Sequence, residues 1–107
     1  MGFKEARDAV IDCLRSGDIG HWPREDLHLK NWLAAGRLTE EEVIRLLQRC
    51  NGKQYRPGNQ VSPAGGQVHE FFPVVDDVNW YIKVYVDEET NEAIVEAVFM
   101  SVHPSGE

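Results

Sequence analysis

The chain has 107 residues, 42% of them hydrophobic and 27% charged, which suits a single ordinary globular domain. No apolar run approaches the roughly 20 residues that cross a bilayer, and the opening "MGFKEARDAV" lacks the apolar stretch of a secretory leader, so the expectation is a cytoplasmic protein without a membrane partner. A net charge of −7 argues against a uniformly basic nucleic-acid binder.

The acid is unevenly spread, however. It gathers in "TEEE", "VDD" and "DEETNE", whereas "RCNGKQYRPGNQ" contains none and carries Arg49, Lys53 and Arg56. A local basic patch is therefore compatible with the overall balance.

In chain order, "FKEARDAVIDCLR" sets Phe3, Ala6, Val10 and Leu14 on one helical face, and Ser16-Gly17 ends that helix. "DIGHWPRED" is an irregular connection, with His21-Trp22-Pro23 a packed corner. A second helix is expected from about Asp26 to Ala35, with Leu29, Trp32 and Leu33 turned inward and Gly36 closing it. Thr39 and Glu42 form a capping box for a third helix over about 40–50, which buries Val43, Leu46 and Leu47. Cys13 and Cys50 fall on these helices among apolar neighbours and read as reduced core thiols.

The pattern then changes. The proline- and glycine-rich stretch over residues 56–67 reads as a long mobile loop. Three extended segments follow: 68–75, 79–86 and 92–103. Helices first and strands afterwards imply one α+β domain: a helix over 3–15, helices within 26–50, the mobile loop, then a sheet over 68–103. Two or three helices would cover one face of a twisted antiparallel sheet of three or four strands. Closing the last hairpin at Asp87 and Glu92 pairs Val86 with Ala93, Val84 with Val95, Ile82 with Ala97 and Trp80 with Phe99 on an apolar inner face. It leaves Tyr81, Lys83 and Tyr85 outward, with Lys83 opposite Glu96.

No nucleophile elbow, phosphate-binding loop, dinucleotide fingerprint, paired carboxylates or zinc-ligand spacing is present. The expectation is that neither a metal nor a cofactor is used. What remains is histidine, lysine, arginine and tyrosine. These suffice for a ribonuclease: a base for the ribose 2′-hydroxyl, cations for charge developing on phosphorus, and a ring to stack a base.

One stretch sharpens this. "HLKNWLAAGRLTEEEV" and the later "WYIKVYVDEETNEAIVEAVF" resemble a small prokaryotic α+β family related to the RelE and MqsR type toxins of toxin–antitoxin systems. The resemblance covers about residues 27–103. His28 stands fifteen residues ahead of Val43, and "YIKV" with the acidic turn after it matches the family's last strands. Trp32 stands where the family often has arginine, and the chain is acidic where such toxins are usually basic.

The resemblance implies a metal-independent endoribonuclease held inactive by an antitoxin protein, with RNA as substrate. His28, Lys83 and Tyr81 would be catalytic. Arg37, Lys53, Tyr55, Arg56 and Tyr85 would hold phosphates and stack bases. Each has a plainer reading: His28 caps its helix, Lys83 pairs with Glu96, and Lys53, Tyr55 and Arg56 belong to a solvated loop. His69 and His103, on strands, are not expected to be catalysts. The rival function is a non-enzymatic interaction or regulatory module that docks a partner on the Tyr81, Lys83 and Tyr85 face.

Overall fold

A hairpin of two long strands forms the spine of the domain. In the computed structural model, which describes residues 2–61, 67–90 and 93–105, the elements run α1 (Phe3–Ser16), β1 (Ile19–His21), α2 (Leu27–Lys30), α3 (Glu40–Gln48), a 3-10 turn (Gly52–Gln54), β2 (Tyr55–Val61), β3 (Gln67–Phe71), β4 (Val74–Val75), β5 (Val78–Thr90) and β6 (Ala93–Pro104). The class is α+β. The sheet has six strands in the order β1-β6-β5-β3-β2, with β4 paired to β5. It is mixed rather than wholly antiparallel, because β1 runs parallel to β6.

α1 and α3 lie on the inner face. α1 buries Ala6, Val10, Ile11, Cys13 and Leu14, and α3 buries Val43, Ile44, Leu46 and Leu47. These meet Phe71, Ile82, Val84, Val86, Ala97, Phe99 and Val102 from the strands. Cys13 and Cys50 are free thiols in this core, each pushed up chiefly by burial. α3 starts as its sequence dictates. Thr39 Oγ1 accepts from the Glu42 N–H at 3.2 Å, and Glu42 Oε1 accepts from the Thr39 N–H at 3.0 Å.

Besides the six strands where three or four were expected, and the parallel pair among them, four sequence expectations need correction. The second helix is a single turn, and it leaves Leu29 57% exposed. The cause is Asn31, which is fully buried with non-helical backbone at φ −131° and ψ 87°. Its Oδ1 accepts from the Ala34 N–H, and its Nδ2 donates to the Phe99 carbonyl and to His21 Nδ1. A side chain that satisfies nearby backbone groups this well competes directly with helix. The connection after α1 holds a strand, β1. The expected loop over 56–67 opens with β2; residues 62–66 lie outside the described residues.

The last correction is the hairpin register. The ladder continues to Thr90 opposite Ala93, so Val86 faces Ala97, four residues beyond the Ala93 expected. A four-residue slip preserves the period of two, so Ile82, Val84 and Val86 still face the core. Between Lys83–Ser101 and Val84–Phe99 the ladder carries one extra residue, Met100. That bulge reverses the alternation of β6. Phe99 and Val102 both point inward, and Ser101 and His103 point outward. The Arg24 guanidinium fastens it, donating from Nη1 to the Met100 carbonyl at 3.0 Å and to Ser101 Oγ at 3.1 Å.

Candidate functional site

The outer face is built on β2, β3, β5 and β6. Part of it is closed. Gly58 of β2 crosses so tightly over Val68 that a Cβ there would lie 2.8 Å from the valine Cγ1. Val68 is buried, and Tyr85 opposite it is only 5% exposed. The open part lies at the other end, around Tyr81, Lys83 and His103, all half-buried.

Glu70 organises this end. The register sets it between Arg56 on β2 and Lys83 on β5. Although it is only 9% exposed, its carboxylate is well supplied with donors. Arg56 Nε donates to Oε1 at 3.0 Å, Arg56 Nη2 to Oε2 at 3.4 Å, and the Tyr81 hydroxyl to Oε2 at 2.5 Å. Burial works to raise the Glu70 carboxyl. The Arg56 and Tyr81 hydrogen bonds, with the Arg56 and Lys83 charges, outweigh it and hold the group below its ordinary value. The Tyr81 phenol is driven the other way, by burial first and then by its bond to the carboxylate.

Rings continue the arrangement. The Arg56 guanidinium lies 5.1 Å from the Phe72 ring centre, Phe72 lies 5.5 Å from Tyr81, and Tyr81 meets His103 edge-on at 5.7 Å. His103 Nδ1 is 2.8 Å from the Pro104 carbonyl. A carbonyl can only accept, so Nδ1 carries the proton, and Nε2 has no hydrogen-bond partner among the described residues. One open patch thus gathers a carboxylate, a phenol, an imidazole and two cations.

His103 also lines a cleft of about 500 Å³ with Leu29, Lys30, Trp32, Arg37 and Pro104. There the Arg37 guanidinium lies over the Trp32 ring at 3.8 Å, and Trp32 in turn meets Trp80 edge-on at 5.8 Å.

The residues expected from sequence are dispersed accordingly. Tyr81, Lys83 and Arg56 come together on the outer face, and Arg37 lies in the adjoining cleft. Tyr55 faces the other way, its ring against Phe71 at 5.2 Å and its hydroxyl hydrogen-bonded to His69 Nδ1 at 2.7 Å. Lys53 is exposed in the 3-10 turn, and Tyr85 is buried. His28 is exposed on the one-turn helix and makes no side-chain hydrogen bond, ion pair or ring contact among the described residues. Lys83 faces Ser101 rather than Glu96.

Sequence reasoning did not single out Glu70 or Lys30 and set His103 aside as a catalyst; the structure brings Glu70 and His103 to the outer patch and Lys30 to the cleft. Glu70 left a signal: in "VHEFF" one acid interrupts an apolar strand, and an acid there needs donors from its neighbours. His103 left none, because its facing depends on the bulge. Among the described residues no group of histidine, cysteine or carboxylate side chains is placed to hold a metal, and no helix is long and apolar enough to cross a membrane. No family model, curated protein or solved structure matches the chain.

Proposed function

We propose that the protein is a toxin-like endoribonuclease that cleaves RNA without a metal ion at the open end of the outer face, and that an antitoxin protein holds it inactive. The observation that supports the reading is the patch itself, where Lys83 and Arg56 flank Glu70 and Tyr81 lies against an imidazole whose Nε2 has no hydrogen-bond partner among the described residues.

The roles follow from the chemistry of each group. His103 takes the ribose 2′-hydroxyl proton at Nε2. The 2′-oxygen then bonds to phosphorus as the bond to the 5′-oxygen breaks, and the imidazolium returns the proton to that leaving oxygen. The products are a 2′,3′-cyclic phosphate and a 5′-hydroxyl. Lys83 and Arg56 supply fixed positive charge for the oxygens of the crowded phosphorus. Glu70 stays ionised and anchors Arg56 and Tyr81. His28, expected from the resemblance to carry the acid–base role, contacts none of these groups, and His103 replaces it in this reading.

The test is controlled expression in a bacterial host, scored for growth and RNA integrity, with purified protein assayed on RNA in a chelator. His103→Ala and Lys83→Ala should each lower cleavage by about a hundredfold or more with unchanged thermal melts, and His28→Ala should cleave normally. Full activity in both of the first two variants sinks the assignment.

A second reading, a non-enzymatic docking module, is favoured by one observation. Both Glu70 oxygens already accept hydrogen bonds, as suits a structural anchor. Intact RNA and normal growth with wild type would decide for it.

A further inference from the structure

We propose that the cleft between α2 and the end of β6 is a phosphate-binding site, and that the phosphate it takes belongs to a ribonucleotide. The choice of ribonucleotide rests on the reading above; the phosphate site rests on the cleft alone.

The cleft lies on an acidic protein, yet the charged residues of its lining are Lys30 and Arg37, with the imidazole of His103 beside them. Among the described residues the side chains of Lys30 and Arg37 make no hydrogen bond or ion pair, although the Lys30 charge is felt by the Asp26 carboxylate. Arg37 is held nonetheless. Its guanidinium carbon lies 3.8 Å from the Trp32 ring centre. The ring attracts the cation without using a carbonyl or carboxylate acceptor, so the group is held in place while its donors remain available to a ligand. Trp32 is therefore a positioning residue for Arg37. Its own place is fixed by the ring contact with Trp80 and by its backbone N–H, which donates to the Val102 carbonyl at 2.8 Å.

The ligand class follows from donor count and shape. A carboxylate can take an arginine fork and a further donor, as Glu70 does, but it brings one negative charge to a cleft lined by two cations. A phosphate brings up to two charges, with oxygens for the Arg37 fork and for Lys30 together. The cleft, about 500 Å³, falls in the size range of sites for whole small molecules, so it has room for a nucleoside attached to the phosphate. Leu29 and Pro104 give the apolar wall that such a group needs. His103 belongs to both the cleft and the outer patch, so a phosphate here lies next to the proposed cleavage centre.

Titration by calorimetry and by side-chain resonances of Arg37 tests this, with inorganic phosphate, adenosine 5′-monophosphate and an eight-residue oligoribonucleotide as probes at low salt. The expectation is that at least one probe binds, that Arg37→Ala weakens it about tenfold or more, and that Lys30→Ala also weakens it. Arg37→Lys keeps the charge without the fork and should recover only part of the loss. Trp32→Leu should weaken binding and Trp32→Phe restore it, with the melts of both variants recorded.

If the monophosphate binds as well as the oligomer, the ligand is a phosphate monoester. If the oligomer alone binds, it is the internucleotide diester. Failure of all three probes to bind overturns the proposal, as does binding that is indifferent to Arg37→Ala and Lys30→Ala. Binding with intact RNA overturns the ribonuclease reading and leaves the phosphate site standing.

Discussion

His69 and Glu70 are neighbours on β3, and the pleat sends them to opposite faces of the sheet. Both are buried. His69 is 1% exposed on the inner side, where it meets the Tyr55 hydroxyl and stacks on that ring at 5.9 Å. Burial there drives the imidazole down to about 4, so it is neutral at physiological pH. Glu70 on the outer side keeps its charge, because an arginine, a phenol and a nearby lysine are turned toward it. Adjacent positions thus bury an ionisable group in two ways: one gives up its charge, and the other is surrounded until the charge is stable. The inner face therefore serves stability. The outer face retains fixed charges, which chemistry or binding can use.

The largest test of that division is on the inner side. Phe99→Ala should cost about 3–5 kcal/mol in chemical denaturation, since the ring is fully buried between helices and sheet. A loss under about 1 kcal/mol would mean that the inner face is not the seat of stability.

Next comes the acid response of His69. Its folded-state value lies below the unfolded one, so the unfolded chain binds the extra proton first. Stability from this group is fully present above about pH 6.5 and drains away as the pH falls toward 4, by about 3 kcal/mol in all. Denaturation midpoints at pH 7.5, 5.5 and 4.5 measure it, and His69→Gln should flatten the slope. A wild-type slope that persists in the variant would assign the effect to another group.

The outer face should respond later and less. Glu70 has a lowered folded-state value, so its contribution is present above the ordinary carboxylate range and is lost below it. Tyr81→Phe removes one donor to that carboxylate and should cost about 1 kcal/mol. It should also move the Glu70 titration upward, which carboxyl resonances can follow. An unmoved Glu70 would deny the phenol its share in holding the charge.

Much of the inner face was legible in the sequence, and little of the outer. α1 and α3 could be read because periodic apolar residues and caps are local signals: Val10 with Leu14, Thr39 with Glu42, and Gly17 with its left-handed backbone at φ 82°. The inward set Ile82, Val84 and Val86 was legible because alternation survives a shift of register by an even number. α2 was read too long because the burial of Asn31 is decided by β6 and His21, both remote in sequence. β1 has three residues, one of them glycine, and gains its order by pairing with β6. Of the site, Tyr81 and Lys83 followed from the period of the strand. His103 did not, since only the pairing of β5 with β6 reveals the extra residue.

That extra residue has a genetic consequence. Met100 is one codon, and its in-frame loss would leave every functional side chain encoded. Yet β6 beyond it would turn over: His103 and Ser101 would face the helices, Val102 would face water, and Arg24 would lose the carbonyl it holds. A three-base deletion there would erase the imidazole from the patch and from the cleft together, without changing the histidine. An insertion of one residue beside it would do the same. The length of this short stretch is therefore under stricter constraint than the identity of the methionine, which any residue able to occupy the bulge could replace.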